Sequence, residues 1–366
     1  MKIVITGNYG AQNLGDEMIL KGLLQTLRNI MPFAELTVLS GNPEETAREY
    51  HVDSAEKFPA GFRSLWRAVF GKNTKTKDEV KSCDYFILGG GGLFGGLKKR
   101  ADIIWGIQAM MAYFYGKPVI MYGQSIGPLR GWFEKWIVKK LFSKAKLIIV
   151  RDSQSKDRLI SLGIKKKIYI YPDLAFRFNM EKGGIERKNK ILVILRQMEE
   201  ITDKFKKEIA GFANWLINER KWNVTFITFQ KGSESDEFLH EEVTEMIIDK
   251  PYMEIINEHD IEQIMREYES SAMVLGMRLH SLISAIKTST PFIAINYAPK
   301  VEGLLSGGGL ESYMIDVDDV NMARLMEEFS RIMSEKNEIT DKLNKYNSET
   351  ETKHKEMENL LREILV

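Results

Sequence analysis

Gly276-Met277-Arg278-Leu279-His280-Ser281 stands between an apolar run, Met273 to Leu275, and a helical pattern of Leu282, Ile283, Ala285 and Ile286. An apolar run that ends in a polar turn and resumes at helical spacing reads as a strand feeding a helix. At such a junction the helix N-terminus presents unsatisfied N–H groups and favours an anion. Arg278 and His280 would stand at its mouth. A guanidinium offers a fixed fork of donors for carboxylate or phosphate, and an imidazole passes protons near neutral pH. The pair points to chemistry on a small anion; a helix-capping Arg beside a satisfied core His is the alternative.

The same grammar of apolar strand, polar turn and helix repeats outward from this stretch. Toward the N-terminus, residues 2–6, 34–39, 85–88, 118–122, 147–150 and 165–170 read as strands; toward the second half, 191–195, 224–227, 255–256, 273–275 and 292–295 do. Helical patterns separate them, and two long polar helices near 322–335 and 337–364 close the chain. Alternation of this kind implies doubly wound α/β parallel sheets, with ligands collected at their switch points. A charged stretch at 181–190, containing Gly183-Gly184, marks a domain boundary. The expectation is two Rossmann-like domains facing a cleft, at 1–180 and 190–335 with a closing helix at 336–366, which is a GT-B-like glycosyltransferase architecture.

Composition narrows the class. At 366 residues, two domains are the natural prior. Met1 leads directly into the strand-like Lys2-Ile3-Val4-Ile5, and no run of about 18 apolar residues occurs, so the expected location is cytoplasmic. A single cysteine, Cys83, excludes an internal disulfide, argues against a cysteine-based zinc site, and is expected to be buried. Net charge is +1, yet residues 1–180 carry 28 Lys/Arg against 16 Asp/Glu while the remainder carries 24 against 35. A basic first half suits an anionic acceptor, an anionic membrane surface, or attraction between the halves. Nucleic acid has no motif behind it. Two segments mix aromatic and basic residues: a helical pattern at 59–70, with Phe62, Trp66 and Phe70 beside Arg63 and Arg67, and Trp132, Phe133 and Trp136 among Arg130, Lys135, Lys139 and Lys140. Such helices suit peripheral contact with a membrane interface or ordinary core packing with a solvated rim.

Three further turns carry candidate residues. Gly7-Asn8-Tyr9-Gly10-Ala11-Gln12-Asn13-Leu14-Gly15-Asp16-Glu17 follows the first strand, and its glycines do not match the dinucleotide fingerprint. It reads as a substrate-facing loop, with Asp16 as a simple helix cap the alternative. Gly89-Gly90-Gly91-Gly92 exposes backbone N–H groups able to wrap a sugar or phosphate, unless it is a flexible surface loop. Arg151 follows the strand at 147–150, either as a further anion ligand or in a salt bridge with Asp152 or Asp157.

Six segments taken together resemble the polysaccharide pyruvyl transferases, and more narrowly their bacterial CsaB-type branch. They are G-N-Y-G-A-Q-N-L-G-D-E at 7–17, L-G-G-G-G-L-F at 88–94, Y-G-Q-S-I-G-P-L at 122–129, V-R-D-S at 150–153, G-M-R-L-H-S at 276–281 and N-Y-A-P-K-V at 296–301. The resemblance implies a GT-B-like fold and transfer of the pyruvyl group of phosphoenolpyruvate to a sugar as a cyclic ketal across the 4- and 6-hydroxyls. For that branch the sugar is an N-acetylmannosamine of a lipid-linked precursor to a secondary cell wall polymer, the anchor of surface-layer proteins. Arg278, Arg151 and Lys300 match the family's basic positions. The matched segments add Asn13, Gly15, Asp16, Glu17, Gly90, Gly91, Gly92, Gln124, Ser125 and Ser281 as substrate-binding positions.

The chemistry fits these residues. The enol ether must gain a proton at C3 to become electrophilic at C2, and His280 is the best donor, because His51, His240, His259 and His354 lie in polar stretches without glycine-rich turns. Asp16 or Glu17 would take the hydroxyl proton. Phosphoenolpyruvate is the donor substrate, and no other cofactor and no metal is called for, since Arg and Lys supply the positive charge. A nucleotide-sugar glycosyltransferase and a non-catalytic glycan-binding protein remain the alternatives.

Overall fold

The computed structural model describes residues 1–59, 75–95, 101–178, 184–232, 235–249, 253–256 and 260–365. The helical pattern expected at 59–70, Gly183 of the expected boundary and His259 lie outside the described residues. The chain divides into two compact units, one formed by Met1–Phe178 and Thr352–Val366, the other by Asn179–Glu351.

The first unit is built on β1 (Lys2–Thr6), β2 (Glu35–Ser40), β3 (Asp53–Glu56), β4 (Tyr85–Leu88), β5 (Gly91–Phe94), β6 (Val119–Ile126), β7 (Leu147–Val150) and β8 (Ile168–Ile170). Their spatial order is β3-β2-β1-β4-β6-β7-β8, with β5 also paired to β6, and the pairings are parallel. Ile3, Val4 and Ile5 are fully buried on both faces, as a central parallel strand requires. The order reverses between β1 and β4, so the loops leaving Thr6 and Leu88 flank the switch point where ligands of open α/β sheets bind. Cys83 is buried, and its thiol is pushed up to about 11 by burial.

The tetraglycine differs from its expectation. Rather than a loop, Gly91–Phe94 is a short strand on β6. Its pairing with β6 is irregular between Gly91 and Phe94; Leu93 and Phe94 are buried, while Gly92 faces open space. Strands β3 and β8 are short edge elements; Lys165 to Lys167 are too polar to extend β8 inward.

The second unit repeats the design with β9 (Lys188–Ile194), β10 (Asn223–Ile227), β11 (Met253–Ile256), β12 (Ser271–Gly276), β13 (Phe292–Asn296) and β14 (Met314–Asp316), ordered β11-β10-β9-β12-β13-β14 and parallel. Its switch point lies between β9 and β12, where Met277 N donates to Ile194 O at 2.8 Å. Helix starts follow ordinary capping: Thr202 accepts from Phe205 N, Asp260 from Glu262 N and Gln263 N, and Pro299 opens the helix Pro299–Ser306.

The closing helix runs over Lys336–Leu365. Its residues from Thr352 onward count with the first unit, where Arg177 donates to Glu358 through Nε and Nη2 at 2.9 and 2.6 Å and the Tyr122 hydroxyl donates to Met357. His354 is buried there, so its polar sequence surroundings misstate its environment. Among the described residues no helix is long and apolar enough to cross a membrane.

Candidate active site

In the first unit the loop after β1 enters the helix Leu14–Ile30, and the cap is Asn13, whose side chain accepts from Asp16 N at 3.1 Å. Asp16 is therefore not the cap. It sits in the first turn, accepting from Asn8 Nδ2 at 2.7 Å, near enough to Gly91 that a methyl group there would stand 3.2 Å from its Oδ1. Gly91 also holds φ +113°, a conformation closed to most side chains. Gly15 is buried in the same turn. Glu17 reaches back to Gly10 N at 2.8 Å and accepts from the Tyr50 hydroxyl at 2.9 Å. Burial pushes its carboxyl up to about 7, with neighbouring Asp16 adding to the rise and the Gly10 and Tyr50 hydrogen bonds opposing it.

Tyr9 is buried beneath these carboxylates. Its ring lies so close to Gly89 that a methyl group there would stand 2.0 Å from the phenol oxygen. Burial raises its phenol far above the usual range, and Asp16, Glu17 and Asp173 add to the effect. Lys57 closes the cluster, donating to Tyr9 O at 3.1 Å and Gly7 O at 3.4 Å, with its ammonium 5.4 Å from the Trp105 ring centroid. Burial lowers its pKa while Asp16 and Glu17 resist. Tyr9, Tyr50 and Lys57 were not singled out from sequence; only the order β2-β1-β4 brings them to Glu17 and Gly89.

Several positions expected to bind substrate serve the fold directly. Gln124 is buried, its Nε2 donating to Leu88 O and Gly89 O at 2.9 and 2.5 Å, which pins β4 to β6. Gly90 packs on Gly123, so closely that a methyl group there would stand 3.0 Å from the Gly123 carbonyl oxygen. Ser125 donates to Asp152 at 2.9 Å, and Asp152 caps the helix Ser153–Ser161. Arg151 pairs with neither Asp152 nor Asp157. It donates to Asp173 at 2.5 Å, both side chains more than nine-tenths buried, and Asp173 also accepts from Ala175 N.

In the second unit Arg278 occupies the cap position of the helix Leu279–Lys287, and its guanidinium is held bidentately by Asp236, with Nε and Nη2 each at 2.5 Å. Asp236 is fully buried and also accepts from Gln197 N and Gln230 N at 3.0 and 3.1 Å. Four donors fix that carboxylate, and it in turn fixes the fork. His280 is half-buried in the first helical turn. Ser281 is buried, its hydroxyl donating to Arg278 O at 2.6 Å.

Arg196, at the end of β9, donates to the Tyr297 hydroxyl at 2.7 Å and lies 4.7 Å from the ring centroid; Lys300 lies 5.2 Å from the same centroid. Burial pushes the Tyr297 phenol up, but Lys300, Arg196 and Arg278 outweigh it and hold the group down at about 8. Arg196, Tyr297 and Asp236 carried no assigned role from sequence. The strand end Leu195-Arg196-Gln197 follows the same pattern as Gly276 to Ser281, but only the adjacency of β9 and β12 reveals that Arg196 and Arg278 share a switch point.

His240 belongs to the core rather than to a polar stretch. It is fully buried on the inner face of the helix Glu237–Glu245, with Nε2 accepting from Leu195 N at 3.2 Å and Nδ1 3.3 Å from Thr228 Oγ1. Since Nε2 accepts, the ring proton resides on Nδ1. Burial drives its pKa down to about 4, Arg278 adding to the fall and Asp236 opposing it. The ring is neutral at neutral pH and holds β9 in register beneath Arg196.

The chain therefore carries one cluster of carboxylates and hydroxyls at the first switch point and one of cations at the second. Its fold is similar to that of GT-B glycosyltransferases and epimerases. The UDP-GlcNAc 2-epimerase of Neisseria meningitidis, bound to UDP-GlcNAc, superposes with a TM-score of 0.66 at 11% identity over 100% of this chain and 99% of that one. The ADP-heptose LPS heptosyltransferase II of E. coli gives 0.52 at 12% identity, over 92% and 100%. In sequence, the amylovoran biosynthesis protein AmsJ of Erwinia amylovora is 22% identical over 93% of this chain and 94% of its own length. The family profile of the polysaccharide pyruvyl transferases matches residues 13–299, a span that includes Asp16, Glu17, Asp236 and Arg278, and the chain belongs to that family.

Proposed function

We propose that the protein transfers the pyruvyl group of phosphoenolpyruvate to the 4- and 6-hydroxyls of an N-acetylmannosamine residue in a lipid-linked cell wall glycan precursor, in the manner of the CsaB-type branch, with release of phosphate. The observation that carries the donor half is the convergence of Arg196, Arg278 and Lys300 around Tyr297. A donor with a carboxylate and a phosphate requires several fixed cations, and a fork already locked by Asp236 binds without reorganising.

In this reading Arg278, Lys300 and Arg196 hold the two anionic groups. His280 delivers a proton to C3 of the enol, and the electron deficiency passes to C2. One sugar hydroxyl attacks C2 and loses its proton; the second hydroxyl then displaces phosphate at the same carbon and closes the ketal. His280, deprotonated by the first step, can accept a hydroxyl proton in the second. The carboxylates and hydroxyls of the first unit suit the hydroxyl-rich sugar of the acceptor, with Asp16 or Glu17 as proton acceptor. Glu17, held at about 7, is poised for such exchange near neutral pH. Arg151 orders the turn of Asp173; a role for it on the donor is part of the proposal and is read by the phosphoenolpyruvate affinity of Arg151→Ala.

The test is phosphate release from phosphoenolpyruvate, with and without a lipid-diphosphate-linked N-acetylmannosaminyl disaccharide. Acceptor-dependent release abolished in His280→Ala is the expected result. Failure of the protein to bind phosphoenolpyruvate, or turnover of a UDP-sugar in its place, overturns the proposal.

A further inference from the structure

The helix Trp132–Lys144 turns Ile137, Val138, Leu141 and Phe142 into the core of the first unit. On its outer face Trp132, Phe133 and Trp136 are 79%, 42% and 47% exposed, in ring contact with one another at centroid separations of 5.7 and 6.0 Å. Lys135, Lys139, Lys140 and Lys144 share that outer face, the Lys140 ammonium lying 4.7 Å from the Trp136 ring centroid. The helix's one acid, Glu134, is engaged at the helix start, accepting from Arg130 N and Gly131 N. The patch continues onto the helix Ala101–Phe114, where Met110 and Phe114 are exposed and, with Tyr113, Leu141, Lys140 and Lys144, line a shallow groove.

Exposed aromatic side chains this close together leave a large apolar area in water, which marks an interaction surface. Interleaved lysines, with the helix's one acid engaged in capping, choose its chemistry. A protein surface would be met by paired charges of both signs, whereas tryptophan and lysine on one face match an anionic lipid interface, rings at headgroup depth and ammonium groups on phosphates. We infer that this face docks the protein on an anionic bilayer surface. The aromatic end of the helix is its N-terminal end, which follows β6 by five residues, at the carboxyl edge that carries Ser125 and Gly91. Docking there brings that edge to the lipid; that orientation, unlike the binding itself, rests on a lipid-linked acceptor.

The experiment is co-sedimentation of the full chain with vesicles of phosphatidylcholine alone or containing phosphatidylglycerol, read without turnover. Binding is expected only with the anionic lipid and should weaken with salt. Trp132→Ser/Trp136→Ser and, separately, Lys135→Glu/Lys139→Glu/Lys140→Glu should each reduce the partition coefficient at least about tenfold, since each lysine near such a surface contributes roughly fivefold. Unchanged circular dichroism and phosphoenolpyruvate affinity show that the variants remain folded. No binding to anionic vesicles, binding indifferent to both variants, or a change of oligomeric state in the tryptophan variant overturns the inference, the last assigning the face to a second copy of the chain.

Discussion

Two parallel sheets of the same design carry opposite chemistry at their carboxyl edges. At the first switch point Asp16 and Glu17 crowd a buried tyrosine, and one lysine attends them. At the second, two arginines and a lysine crowd a tyrosine, and one carboxylate attends them. The phenols record the contrast: burial pushes both up, yet Tyr9 ends far above its usual range and Tyr297 ends below it. Tyr9 is fully buried and Tyr297 only partly so, but what brings Tyr297 below its usual range is the set of cations beside it. One frame thus carries a carboxylate-rich edge, unfavourable to anions, and another a cation-rich edge, favourable to them.

Removing the fork should break the contrast most severely. Arg278→Ala leaves Asp236 buried and deprived of two of its four donors, and breaking such a pair costs about 3–5 kcal/mol of stability. Affinity for phosphoenolpyruvate should fall by about 30-fold or more, the scale of truncating one member of a desolvated charge pair. Thermal denaturation and calorimetric titration read the two effects separately. Unchanged affinity in a folded variant would remove Arg278 from the anion site.

The two clusters should also respond to pH with opposite sign. Glu17 binds its proton more tightly folded than unfolded, so its contribution to stability is full below pH 4.5 and is lost as pH rises through about 7. His240 binds its proton less tightly when folded, so its contribution is full above pH 6.5 and is lost as pH falls through about 4. Each displacement corresponds to about 3 kcal/mol. Glu17→Gln should therefore gain stability relative to wild type between pH 5 and pH 8, measured as the difference in Tm. A difference that stays constant across that range would mean that Glu17 titrates as an exposed carboxylate does.

His280→Ala tests chemistry rather than binding. The residue is half-buried and helical, so the fold should survive, while the rate of acceptor-dependent phosphate release should drop about 10²-fold or more, the usual scale for a general acid. A variant that turns over at a near-normal rate would leave the second cluster as an anion site only.

What the sequence makes legible follows from distance along the chain. Gly276 to Ser281 declares itself because strand, turn and helix are contiguous, and both central strands declare themselves because parallel strands buried on two faces are unbroken apolar runs. Arg151 with Asp173, Arg278 with Asp236 and Arg196 with Tyr297 are 22, 42 and 101 residues apart. Each becomes visible only once strand order is known. The tetraglycine misled for a different reason: glycine's freedom advertises a loop along its whole length, whereas here only Gly89 and Gly90 lie between strands, pressed against Tyr9 and Gly123, and Gly91 and Gly92 already open a strand beside Asp16. His240 misled because a helix turns polar and apolar neighbours in sequence onto opposite faces.

The smallest expected effect is the most discriminating. Tyr297→Phe keeps the ring beneath Arg196 and Lys300 and deletes only the hydroxyl that Arg196 contacts at 2.7 Å. Near pH 7 the phenol is neutral, so loss of one hydrogen bond to a charged group should change phosphoenolpyruvate affinity only severalfold, corresponding to about 1 kcal/mol. Above about pH 8 the wild-type phenol ionises and sets a negative charge among the cations. Anion affinity should then fall in the wild type between pH 7 and pH 9, while the variant, with nothing to ionise, stays level. A parallel decline in both proteins would move the titration to another group and would separate Tyr297 from the charge that distinguishes the two switch points.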